Sequence, residues 1–179
     1  MTARLSGFIR SDAVRLIAKN LKYKDTGTFF VAGLLHDLGK VILDTYFHEQ
    51  YAEVVEEMVE EERSALDAET DLLDIDHAEV GGWLAARWKF PEILVNPIAY
   101  HHNLMAADEG FMKEAVIVHL ANILTKRANI GLCYEEDVAP PSDLVHSELS
   151  LNDDQITEIL RELQSEKDQI NEFFGALKG

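Results

Sequence analysis

The sequence predicts an all-α fold, a helical bundle, and three observations carry that expectation. Apolar residues recur at three- and four-residue spacing through most of the chain. No stretch alternates apolar and polar residues well enough to make a convincing strand, and no repeat of solenoid period is present. Two stretches, Asp76 to Glu79 and Asn152 to Gln155, carry the residues of helix-starting capping boxes.

Composition sets the bounds. The chain of 179 residues, 47% of them hydrophobic, suffices for one domain with a real core, and residues 1–179 read as a single domain. No apolar run approaches the ~20 residues of a membrane span, and residues 1–20 lack the apolar core of a signal peptide, so a cytoplasmic protein without membrane contact is expected. Cys133 is the only cysteine, which excludes an intrachain disulfide and a multi-cysteine zinc site; it reads as a small apolar residue. With 33 acidic against 16 basic residues the net charge is -17, a surface that repels phosphate backbones, so nucleic acid is not an expected partner.

From Phe8 to Leu21, Ile9, Ala13, Leu16, Ile17 and Leu21 form a helical stripe. Asp25-Thr26-Gly27 breaks it. Thr28 to His36 is apolar on every side, which predicts a central helix buried all round. Residues 41 to 62 continue as helix, with the dense carboxylates at Glu56-Glu57 and Glu60 to Glu62 on its solvated face. Residues 66 to 75 read as a short helix or irregular connector. Asp76 caps the next helix and places His77 in its first turn; Gly81, one turn on, allows another backbone to approach. Pro91 starts a segment leading to His101-His102, and Pro97 predicts a kink or break before them. Gly110 precedes a broadly apolar helix containing His119 and Asn122. Residues 129 to 150, with Gly131, Pro140 and Pro141, read as a loop. Residues 152 to 177 make a long amphipathic helix, packed on the bundle or on a partner helix.

Chemistry concentrates where the apolar run ends. His36-Asp37 places a nitrogen lone pair beside anionic oxygens, a metal-ligand or acid/base pair, and Gly39 can turn the backbone after it. Histidines on separate helices can converge on such a pair. The blocks Ala32 to Lys40, Asp76 to Gly81, Ala99 to His102 and Val118 to Asn122 resemble, in order, the HD superfamily of metal-dependent phosphohydrolases, and more closely its signalling branch, the HD-related output domain (HDOD). The resemblance covers roughly residues 8 to 175 and implies an HD-domain-like helical bundle.

It also implies roles. His36, Asp37, His77, His101 and His102 correspond to metal-site positions, and Lys40 to a lysine that contacts phosphate in active relatives. There, bound metal acidifies water and neutralises charge at phosphorus. This sequence departs from that pattern. No histidine precedes His36, with Ser6 or Asp12 nearest by position, and Asn122 stands where a final aspartate would ligate; its amide oxygen is the poorer ligand. The remaining set either holds one divalent ion weakly (Mn, Fe, Mg or Zn) or persists as a buried hydrogen-bond network, the latter favoured. His119 reads as a hydrogen-bonded core residue, His48 and His146 as surface residues. The usual family domain carries another helical half before this block, so exposed apolar sides are expected on the first two helices, favouring self-association or a signalling partner. The expected function is noncatalytic regulation through protein contacts; the alternative is a phosphohydrolase acting on a nucleotide or cyclic dinucleotide.

Overall fold

The computed structural model describes residues 3–130 and 138–176, with side chains from 10 to 130 and from 138 to 169. Cys133 lies outside the described residues, as does the side chain of Ser6. The described chain is all helical: α1 (Ala3–Asn20), α2 (Thr26–Leu35), α3 (Leu38–Tyr46), α4 (His48–Glu60), α5 (Ala65–Leu73), α6 (His77–Arg87), α7 (Glu92–Tyr100), two single 3-10 turns (Leu104–Ala106 and Glu109–Phe111), α8 (Met112–Arg127), α9 (Asp143–Leu149) and α10 (Asp153–Ala176).

Local chemistry starts four of these helices, α2, α5, α6 and α10. Asp25 Oδ1 accepts the amides of Gly27 and Thr28 at 3.1 and 3.2 Å to open α2, and Ser64 Oγ accepts the Asp67 amide at 3.0 Å to open α5. Both expected capping boxes form. Asp76 Oδ1 accepts from the amides of Ala78 and Glu79 while Glu79 accepts from that of Asp76; Asn152 and Gln155 make the same exchange.

The central helix is α8, and this corrects the expectation for residues 28–36. Nearly every face of α8 is buried, from Ala115 through Thr125, against α1, α2, α7, α9 and the start of α10. On α2 only Phe29, Ala32 and Gly33 are buried. Val31 and Leu34 are 38% and 51% exposed, so its outer side lacks a neighbour among the described residues. A second cluster joins Leu43, Tyr51, Val54 and Ala68 of α3, α4 and α5; a third joins Ala85, Val95 and Ile98 of α6 and α7.

Other boundaries move too. Residues 41–62 form two helices, broken at Phe47 with φ -129 and ψ 40. The loop expected over 129–150 contains α9, because Val145 and Leu149, one turn apart, bury against α8 and outweigh the upstream prolines. Helix α7 runs unbroken through Pro97 to Tyr100. The long helix α10 returns to the bundle through Ile156, Ile159 and Leu163. By length and composition alone Thr26–Tyr46 could cross a membrane, 21 residues at mean hydropathy 1.2, contrary to the expectation of no such run. It is α2 and α3, interrupted at His36 and Asp37, with an ion-paired carboxylate in the interruption.

Candidate metal centre

His36 and Asp37 form the two-residue joint between α2 and α3. Gly39 serves contact rather than turning. A Cβ there would stand 1.9 Å from the carbonyl oxygen of His77, so only glycine lets the start of α6 touch α3 and bring His77 beside Asp37. Gly81 continues the seam: a Cβ on it would lie 3.2 Å from the Gly39 nitrogen. His101 and His102 follow the last turn of α7.

The five residues singled out as ligands share one cluster. His77 Nε2 and His36 Nε2 lie 3.3 and 3.6 Å from Asp37 Oδ1, and His102 Nε2 lies 3.1 Å from His77 Nε2. Candidate donor atoms of His77, His101 and His102 fall within 4.8 Å of one another, as do those of His36, Asp37 and His101. The rings of His36 and His101 meet edge to face at 5.1 Å.

Three of the four imidazoles are aimed by their other nitrogen. His36 Nδ1–H donates to the Gly33 carbonyl at 2.7 Å, and His101 Nδ1–H to that of Ile98 at 3.0 Å. His77 Nδ1–H donates to Glu69 Oε2 at 2.5 Å. The Nε2 lone pairs of His36 and His101 are thereby left free, buried and without hydrogen-bond partners. Burial pushes His36 down from the ordinary imidazole range, and burial with neighbouring imidazoles holds His101 and His102 well below it. Imidazoles whose charged forms are disfavoured in this way have the lone pairs that a metal ion requires. Their chemistry fits one divalent ion, with Asp37 as the anionic donor.

Asp37 is also claimed by cations of the chain itself. Arg10 Nη1 from α1 lies 2.7 Å from Oδ2, and Lys40 Nζ lies 3.0 Å from Oδ1. Burial alone would raise the carboxyl; His36, Lys40, His77 and Arg10 together hold it well below the usual range. Asp12, one of the positions weighed for the absent first ligand, pairs instead with Arg15 at 2.6 Å.

Three residues of this site escape sequence reasoning. Glu69 is fully buried and accepts from the His77 amide at 2.8 Å, from His77 Nδ1 and from the Tyr51 hydroxyl at 3.0 Å. Burial would raise its carboxyl, but the bonds and charge from His77 lower it. Tyr51 is raised by its own burial and by Glu69. The available signal is a carboxylate on the stripe shared by Leu66 and Leu73. Arg10 gives no such signal.

His119 makes the expected hydrogen bond, Nδ1–H to the His101 carbonyl at 2.8 Å, yet it is half-buried and lines a cleft of about 730 Å³. Arg10, Lys40, His102, Asn122 and Lys126 line the same cleft. His48 is exposed beside Asp44, while His146 is half-buried and donates to the Leu151 carbonyl at 2.9 Å.

Comparison places this architecture. The HDOD domain model matches residues 7–104, and the chain belongs to that family. It is similar to an uncharacterized protein of Treponema pallidum (strain Nichols), 33% identical over 107 residues, which are 60% of this chain and 21% of that one. The chain thus spans about a fifth of that relative's length. The crystal structure of an HDOD domain protein of unknown function from Geobacter sulfurreducens superposes with TM-score 0.75 at 24% identity, over 93% of this chain and 59% of that one. That of a provisionally named signal transduction protein from Marinobacter aquaeolei VT8 superposes with TM-score 0.81 at 22% identity, over 100% and 40%. A provisionally named phosphohydrolase from Shewanella amazonensis SB2B gives TM-score 0.58 at 22% identity, over 88% and 50%. These likenesses establish the fold.

Proposed function

We propose that this chain is a cytoplasmic, noncatalytic regulatory module of bacterial signal transduction that works through protein contacts. The observation carrying this reading is the state of Asp37, whose two oxygens face Arg10 and Lys40. A carboxylate that serves two metal ions needs those oxygens for the ions, and a guanidinium at 2.7 Å fills one position with a fixed charge. Asn122 in the cleft offers a neutral amide where a second carboxylate would help.

In this reading the histidine cluster joins α2, α3, α6 and α7 and holds at most one divalent ion weakly, Mn, Fe, Mg or Zn, on His36, Asp37, His77, His101 and His102. Exposed Leu34, Val41 and Phe47 supply apolar surface for a signalling partner or for self-association.

The second reading, a metal-dependent phosphohydrolase acting on a nucleotide or cyclic dinucleotide, is favoured by the partnerless Nε2 atoms of His36 and His101. A divalent cation there supplies charge neutralisation for a phosphoryl transition state. Lys40 and Arg10 would bind phosphate only after releasing Asp37. One experiment separates the two: metal content of chelator-free protein, then phosphodiesterase turnover with added manganese. We expect substoichiometric metal and no turnover. Stoichiometric metal with turnover that vanishes in Asp37→Ala overturns the noncatalytic reading.

A further inference from the structure

We propose that the groove between α6 and α7 binds an arginine side chain of a partner protein. The groove encloses about 610 Å³ beside a close helix contact, where a Cβ on Gly82 would stand 2.5 Å from that of Ala99. It is built on Glu79, Trp83 and Ala86, which helical periodicity puts on a different face of α6 from His77. The inference therefore stands whether or not the histidine cluster is catalytically silent.

Three features of the lining converge on one ligand chemistry. Asn96 lines the groove and is 4% exposed, yet its Oδ1 has no hydrogen-bond partner among the described residues. Buried amides are nearly always paired, and an arginine N–H seated among these lining residues is a donor that Asn96 can accept. Glu79, Glu92 and Asp108 add three carboxylates, none in an ion pair among the described residues. Glu79 and Asp108 each use one oxygen to accept a backbone amide, from Asp76 and Gly110, and keep the other. Trp83 is 65% exposed, and its ring already carries the Arg87 guanidinium 5.6 Å from its centroid.

A guanidinium suits this lining better than an ammonium. Its planar fork of five N–H groups can lie against an indole while donating to an amide oxygen and a carboxylate together, whereas lysine presents a single compact, strongly hydrated charge. Nucleic acid and anionic lipid carry the wrong sign for three carboxylates on a chain of net charge -17.

The test uses the full chain with Trp88→Phe, which leaves Trp83 as the only tryptophan. A hexapeptide bearing two arginines and its lysine counterpart are titrated while Trp83 fluorescence is followed. We expect saturable binding with the arginine peptide several-fold tighter. Glu92→Gln should weaken it roughly two- to fivefold, the range of an exposed ion pair, while Glu56→Gln on the acidic face of α4 leaves it unchanged. Asn96→Leu, with folding verified by circular dichroism, should abolish the preference for arginine. Absence of saturation, equal affinity for the two peptides, or equal weakening by Glu56→Gln overturns the proposal.

Discussion

A carboxylate with no exposure to solvent must be matched by donors, and Glu69 has three: the Tyr51 hydroxyl, the His77 amide and His77 Nδ1. It sets the orientation of His77 and so the direction of a lone pair 3.3 Å from Asp37. Glu69→Ala leaves all three donors buried and unpaired, and we expect about 3 kcal/mol or more of destabilisation in chemical denaturation. Tyr51→Phe removes one bond and keeps the ring, at about 1 kcal/mol. A loss below 1 kcal/mol for Glu69→Ala would mean that water, not Glu69, satisfies His77. The five cluster residues are legible in the sequence because the four blocks that carry them resemble the HD superfamily, which sets them apart from the other histidines. Arg10 is not, since its partner lies 27 residues away across a helix hairpin and nothing in its own helix distinguishes it from a surface arginine. Glu69 leaves only the mark of a carboxylate on the stripe of Leu66 and Leu73, and its burial depends on its bonds to His77 at the start of α6.

Between helices, the site depends on contact distance more than on helix formation. Helices α3 and α6 meet at Gly39, and the atom a side chain would strike belongs to the backbone of His77, which cannot rotate aside. Gly39→Ala should therefore cost about 3 kcal/mol or more by overpacking, despite alanine's better helix propensity. The informative measurement pairs stability with the backbone NMR shifts of residues 76–82; a gain in stability would show that the seam is looser than described. The helices themselves follow from spacing and caps, which is why α6, α8 and α10 can be read with little error, while α1 begins at Ala3, before the stripe read from Phe8. The fate of each face is harder to read. The all-apolar α2 looks in sequence more like a central helix than the broadly apolar α8 does, and only the assembled bundle buries α8 while leaving Val31 and Leu34 in solvent. The short α9 is missed because seven residues carry too few turns to show a period, although Val145 and Leu149 bury fully once α8 is beside them.

At the scale of the whole molecule, His36, His101 and His102 are buried where the fold disfavours their charged forms, which ties global stability to pH. His36, His101 and His102 all titrate below the ordinary value of 6.5 in the folded chain, because burial disfavours their charged forms. Above that pH both folded and unfolded chains are neutral at these positions, and they contribute nothing to the pH dependence. As pH falls through 6.5, the unfolded chain binds protons that the folded chain refuses, so stability must drop. Three such groups give a slope of up to about 4 kcal/mol per pH unit. Asp37 and Glu69 work in a lower window, since their depressed values lose stability only as pH falls through the ordinary carboxyl values of 3.8 and 4.5. The opposing influence is self-repulsion at net charge -17, which acid relieves. Salt separates the two, because at ~1 M the screening length is about 3 Å and surface repulsion is largely removed while buried groups are little affected. Metal-free protein held with a chelator should thus lose stability between pH 6.5 and 5 at high salt as well as low. Urea denaturation at each pH measures this directly. A flat profile in high salt would mean that the imidazoles titrate normally and that water reaches the cluster in solution.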